Sequence, residues 1–188
     1  MQGGIIMEWM LLPLKRYFEF SGRSRRKEYW MFVLLQMLIW VVLTILTVAV
    51  AGGAGMMAGA SADGGASGML GAMLGMGILG IVMMIVWLGL LVPSIAVAVR
   101  RLHDTNRSGF WLFLMAAPYI LGYIMVVVGV ASESSTLAAV GGILSLAGLI
   151  GAIALLVFMC LPGTVGPNRY GADPKAGEHM EANAPTAI

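Results

Sequence analysis

The chain has 188 residues, of which 60% are hydrophobic and only 11% charged, and its formal net charge is +2. A soluble domain carries about 25% charged residues, so this sequence cannot dress a water-exposed surface of its own size, and lipid is the solvent it matches. The single cysteine, Cys160, excludes an internal disulfide and any multi-cysteine metal site.

Residues 1–28 are mixed, apolar and aromatic first and basic later. Within them 7–20, with Trp9, Leu11, Leu14 and Phe18 beside Lys15 and Arg16, reads as a short amphipathic segment lying in the interface. Pro13 limits its regularity. Tyr29 to Val50 is apolar apart from Gln36, Thr44 and Thr47. At 1.5 Å per residue this run reaches roughly 33 Å, enough for a hydrocarbon core of ~30 Å. It exceeds the apolar core of about 7–15 residues in a cleaved signal peptide, so it reads as a retained anchor. Residues 51–76 are rich in Gly, Ala and Met, include Asp63, and are expected to form an outer loop. The second crossing is placed at about 77–99, with Pro93 expected to kink it. Residues 100–109 form a polar turn, and Phe110–Ala131 and Leu137–Leu161 are the third and fourth spans. Beyond them, 162–175 reads as an ordered stub and 176–188 as a flexible tail. The expected fold is all-α: a polytopic membrane protein, one domain over 1–175, with four transmembrane helices bundled behind a short N-terminal interfacial segment. Strands are disfavoured because no segment alternates.

All eleven Lys and Arg fall on one side of these spans: Lys15, Arg16, Arg23, Arg25, Arg26 and Lys27 before the first, Arg100, Arg101 and Arg107 between the second and third, Arg169 and Lys175 after the fourth. The loops at 51–76 and 132–136 contain none, although spreading by loop length would put about three there. The bias places both termini in the cytoplasm. In lipid, helices associate through close packing. The small-residue pairs Gly71/Gly75, Gly141/Ser145, Ala147/Gly151 and Gly148/Ala152 have the four-residue spacing that permits it. Span four is the richest, so it should sit centrally or against a partner subunit. Trp9, Tyr17, Tyr29, Trp30, Trp111 and Tyr170 cluster near the inner boundary as headgroup anchors.

Three polar motifs lie on that same side. The first is Phe20-Ser21-Gly22-Arg23-Ser24-Arg25-Arg26-Lys27-Glu28-Tyr29-Trp30. The second is Arg100-Arg101-Leu102-His103-Asp104 followed by Arg107-Ser108-Gly109-Phe110-Trp111. The third is Pro162-Gly163-Thr164, then Gly166-Pro167-Asn168-Arg169-Tyr170-Gly171 with Asp173-Pro174. Together they resemble the bacterial family called domain of unknown function 805, over roughly residues 14–175. The resemblance implies a polytopic inner-membrane protein and no established activity. The chain departs from the pattern in its expanded 51–77 stretch and in Asn106, where glycine is expected.

If the second span stays helical through Asp104, Arg100 and Asp104 stand at i and i+4 and can pair, while Arg101 and His103 point toward headgroups or neighbouring segments. Ser108 suits an N-cap for span three. The bland reading of this motif is a charged hairpin that fixes orientation. The sharper one is convergence of the three motifs on a single patch for an anionic headgroup or ligand, using Arg23, Arg26, Arg100, Arg101, His103, Asp104, Arg107, Asn168 and Arg169. His103 and Asp104 are adjacent on a helix and diverge by about 100°, which disfavours an acid–base pair. No HExxH, G-x-S-x-G or acidic pair is present, so no enzyme, cofactor or metal is expected. The methionines 56, 57, 69, 73 and 76 could hold Cu(I) but read more simply as flexible filler.

The favoured function is a membrane scaffold or interaction protein that contacts anionic lipid, with a second copy of itself as a candidate partner and no nucleic acid. The alternative is a subunit of an oligomeric channel or transporter, although no ionisable residue falls within the spans. A reporter fused to the carboxyl end is expected to be inaccessible from outside intact cells. Labelling by an impermeant reagent would overturn the assigned orientation.

Overall fold

A computed structural model describes residues 3–60 and 66–177. The order is α1 (Gly3–Lys15), α2 (Arg26–Ala60), α3 (Ala66–Asp104), α4 (Phe110–Ala131) and α5 (Ser135–Cys160). Among the described residues there is no strand, only one bridge between Asn168 and Gly171. Four helical stretches, Arg26–Gly53, Met73–Asp104, Phe110–Ala131 and Ser135–Cys160, are long and apolar enough to cross a membrane. The shortest, at 22 residues, still spans roughly 33 Å against a hydrocarbon thickness of ~30 Å. The protein is an all-α polytopic membrane protein.

The stretch at 51–76 departs from expectation. It is not an extended outer loop, because α2 continues to Ala60 and α3 has begun by Ala66. Helix nucleation is the costly step, and both spans have already made it. Ala and Met then prolong a helix readily, even with glycine among them. Asp63 and the chain beyond Gly177 lie outside the described residues, as do the side chains of Met56, Met57 and Met69.

The helices fall into two compact units, Met1–Tyr17 with Trp30–Ser94, and Phe18–Tyr29 with the chain from Ile95. In the first unit, hydroxyls inside the apolar runs satisfy themselves locally. Thr44 donates to Trp40 O and Thr47 to Leu43 O, each at 2.8 Å, and Ser94 donates to Leu90 O. Hydrocarbon has no water to do this for them. Pro93 has no N–H to give the carbonyl of Gly89 one turn back, and that carbonyl accepts the Tyr17 hydroxyl at 2.7 Å instead. Tyr17 thus repairs the backbone defect that the proline creates. Pro13 does not stop α1, which runs on to Lys15 with the proline ring buried.

In the second unit α4 and α5 form a tight antiparallel pair. Glu133, at φ 56°, turns the chain, and the Ser134 side chain accepts the amide of Leu137 to start α5. Gly122 and Gly129 on α4 and Gly141 and Gly148 on α5 are buried. A methyl added at Gly141 would lie 2.7 Å from Gly122 O, one at Gly129 would lie 2.5 Å from Ala138 N, and one at Gly151 would lie 2.9 Å from Met115 O. The backbones therefore touch, and the buried glycines of each helix stand seven residues apart. The small-residue stripe of span four is spent on α4. Ser145 sits in the same seam, its hydroxyl on Gly141 O at 2.9 Å.

Gly148→Ala is expected to destabilise the protein by about 1–3 kcal/mol, because the new methyl would run into the Tyr119 backbone. Gly142→Ala, which meets open space, should be neutral or stabilising by up to about 1 kcal/mol. Thermal unfolding in detergent would compare the two.

Candidate functional site

The polar end of the second unit is built on the last turn of α3. Ala98 and Leu102 bury against Met159 near the end of α5, with Tyr29, Leu112, Leu155 and Phe158 around them. This apolar contact brings the Arg100–Asp104 turn beside the C-terminus of α5. That helix end presents carbonyls with no helical partner. Arg101 supplies donors to two of them, Met159 O at 3.2 Å and Leu161 O. Arg26 supplies a third, to Cys160 O at 3.3 Å. Cations at a helix C-terminus also complement its dipole.

Asp104 is the junction. One carboxylate oxygen accepts from Arg101, and the other accepts Nε and Nη2 of Arg23 at 3.0 and 2.9 Å. Arg23 also donates to Gly166 O at 2.6 Å and to Thr164 O. The Asp104 carbonyl takes the Thr164 amide at 2.8 Å. One aspartate therefore ties the loop before α2, the end of α3 and the segment after α5. A second ion pair stands beside it: Arg100 donates to Glu28 at 2.9 Å and to Glu19 O. All these arginines and carboxylates are buried, Arg100 and Arg101 completely. Gly163 must be glycine here, since a β-carbon would collide with the Asp104 carboxylate.

The outer layer is lighter. His103 Nδ1 lies 3.2 Å from Gly22 O. A carbonyl only accepts, so Nδ1 carries the proton. The imidazole stacks on Tyr170, with ring centroids 3.9 Å apart and planes within 4°. Asn168 donates to His103 O at 3.0 Å and to Thr164 Oγ1 at 2.8 Å. Arg169 donates to Asn106 O at 3.0 Å and sits 4.8 Å from the Tyr170 ring centre. Arg107 lies over Phe158 at 4.1 Å. Gly22 and Gly166 adopt φ of 86° and 79°, which favours glycine at both turns. Asn106, at φ 58°, takes the same left-handed conformation that glycine would.

Two local expectations are corrected. Asp104 pairs with Arg101 at i+3 spacing and with Arg23, and Arg100 turns instead to Glu28. The helix offers both spacings, and the acid on α2 decides between them. Of the two directions open to Arg101, headgroups or neighbouring segments, it takes the second, because the bare carbonyls of α5 hold it inside. Ser108 is not the cap of α4. Gly109 occupies that position without a side-chain bond, and a β-carbon there would lie 2.7 Å from Val99. Of the nine residues singled out, Arg23, Arg100, Arg101 and Asp104 are buried, His103, Arg107 and Asn168 are half-buried, and Arg26 and Arg169 are exposed. Arg25, Glu28, Asp173 and Lys175 were not among them. Glu28, the one acid of its motif, was the signal available. Asp173 closes the final loop by accepting Gly166 N at 2.9 Å and Lys175 N at 2.8 Å. Arg25 donates to Pro174 O. Between these groups lies a cavity of ≈ 150 Å³ whose charged walls are Arg23, Arg25, Arg26, Asp104, Asp173 and Lys175.

A family model described as protein of unknown function (DUF805) matches residues 17–172, which include the first two polar motifs and the third as far as Gly171. The chain belongs to the DUF805 family. It is 33% identical over 173 residues to the inner membrane protein YhaI of Escherichia coli strain K12, covering 92% of this chain and 100% of that one. It is 34% identical over 173 residues to the inner membrane protein YhaH of the same strain, covering 90% and 98%. A shorter match, 40% identical over 86 residues, links it to the uncharacterized protein YiiR of E. coli, covering 45% of this chain and 54% of that one. No solved structure matches. As a DUF805 member with four membrane-crossing helices, the protein is grouped with inner-membrane proteins of bacteria.

Asp104→Asn keeps the shape of the junction and removes its charge. It leaves Arg23 and Arg101 buried without a counter-ion, and unfolding in detergent should show a loss of about 3–5 kcal/mol. A loss below about 1 kcal/mol would mean that the network is not what secures this end.

Proposed function

We propose that the protein is a bacterial inner-membrane scaffold or interaction protein, with both termini in the cytoplasm, that contacts anionic lipid headgroups or another anionic ligand through its polar end. It is not an enzyme on this reading. The observation that carries the proposal is the division among its basic residues. The inner arginines are consumed by Glu28, Asp104 and backbone carbonyls. Around them stand Arg26 at the start of α2, Arg107 between α3 and α4, and Arg169 and Lys175 in the segment after α5. Within the described structure Arg26 and Arg169 each spend one N–H on a protein carbonyl, and Arg107 and Lys175 side chains spend none.

The buried network supports this reading by giving that outer ring a rigid base, so the cations meet an anion without first being ordered. The one-sided distribution of Lys and Arg supports it too, since each basic residue near an anionic leaflet gains about 1 kcal/mol. The acid–base alternative has no geometry in its favour: both oxygens of Asp104 are held by arginines, and the protonated nitrogen of His103 faces Gly22 O.

The test is lipid retention by the purified full chain in mixed bilayer discs. Phosphatidylglycerol should be retained over phosphatidylcholine, and the preference should fall as salt rises. Replacing Arg26, Arg107, Arg169 and Lys175 together by glutamine should remove it. Equal retention of the two lipids by the unaltered protein would overturn the proposal.

A further inference from the structure

We infer that the cavity walled by Arg25, Arg26 and Lys175 is a binding site for a dianionic phosphate group, whether the end of a monoester or inorganic phosphate, an inference that rests on the anionic-ligand reading above and gives it a location and a chemical class. The cavity holds ≈ 150 Å³, a volume that elsewhere admits a molecule of about benzene's size and so suits a compact headgroup. Its walls carry four cations, Arg23, Arg25, Arg26 and Lys175, against two carboxylates, Asp104 and Asp173. The surplus of two positive charges among the wall residues, to which Arg101 adds behind Asp104, favours a monoester, whose charge near neutral pH is about −1.5 to −2. A phosphodiester carries only one negative charge and would leave the surplus half compensated.

Geometry supports the assignment independently of charge. Arg26 gives one long bond of 3.3 Å to Cys160 O, which leaves its planar fork able to meet two phosphate oxygens at once. The Lys175 ammonium has no partner among the described residues, while its backbone amide is pinned by Asp173 at 2.8 Å, so the stem is anchored and the charge is not. The arginine behind them, Arg23, is fixed by Asp104, Gly166 O and Thr164 O and does not need to move. The cavity also lies at headgroup depth. Its wall begins at Pro162, two residues past the end of α5, and at Arg26, the first residue of α2. Val165, on the same wall, is 78% exposed, an apolar side chain that an acyl chain could cover. Two sources supply this chemistry, a phosphomonoester lipid such as phosphatidate and a free phosphate.

The experiment places the full chain in bilayer discs of phosphatidylcholine doped with equal phosphatidate and phosphatidylglycerol, and reads bound lipid by native mass spectrometry. Phosphatidate should be retained over phosphatidylglycerol by at least about tenfold, and the ratio should fall below about pH 6 as the monoester takes up its second proton. R26Q/K175Q should bring the ratio to about one, whereas K15Q/K27Q, with the same loss of charge outside both the cavity and the outer ring, should leave it unchanged. Inorganic phosphate, titrated into the discs, separates the sources. Phosphate binding by isothermal calorimetry that R26Q/K175Q abolishes, with no phosphatidate retained, assigns the cavity to a free phosphate and sustains the inference. A ratio of one in the unaltered protein, with no phosphate binding, overturns it. If phosphatidylglycerol is still preferred over phosphatidylcholine in that case, the broader anionic reading survives alone. If that preference is absent as well, both fail.

Discussion

The carboxylate of Asp104 holds the polar end of this protein together. Two guanidinium groups converge on it, one from its own helix and one from the loop before α2, and its backbone carbonyl holds the segment that follows α5. A buried carboxylate is costly to desolvate, and it persists here because both oxygens are met by charged donors. The same logic governs Arg100 and Glu28. Three stretches far apart in the chain therefore become one platform through a few charge-assisted bonds.

The arginines exceed the carboxylates in this network, and the backbone makes up the difference. The last carbonyls of α5, and those of Glu19, Thr164 and Gly166, accept further N–H groups, and Arg100 Nε is buried without an acceptor. A helix that ends at the edge of the bilayer must find donors for its terminal carbonyls, because hydrocarbon supplies none. Arginine, with five donors in a fixed fork, can serve a carboxylate and a helix end together. Within the spans the same requirement is met by smaller means. Thr44, Thr47, Ser94 and Ser145 bond to the preceding turn, and Tyr17 serves the carbonyl that Pro93 leaves unpaired.

Basic residues thus divide into two populations that composition alone treats alike. Those facing inward build the platform, and Arg26, Arg107, Arg169 and Lys175 at its rim spend few or no side-chain donors on the protein. The cavity between Arg26 and Lys175 is where the rim folds over the platform, so a group bound there would rest on parts already fixed. Binding would then order little of the chain, which favours affinity from a few contacts.

The four spans, the all-α class and the family were legible from apolar run length and from the three motifs, because the bilayer imposes a length and a polarity on any segment that crosses it. The tight turn at Asn106 was legible too, since few residues accept a left-handed backbone. The ion partners were not. Helical spacing permits Arg100 or Arg101 to reach Asp104, and only the position of Glu28 across from Arg100 settles which does. Gly109 and Gly163 declare themselves glycines by what lies against them, Val99 and Asp104, which no local pattern announces. Nor does sequence distinguish an arginine that caps a helix end from one that faces a lipid. That choice belongs to tertiary structure, because a side chain with many donors goes wherever the folded chain has left acceptors unmet.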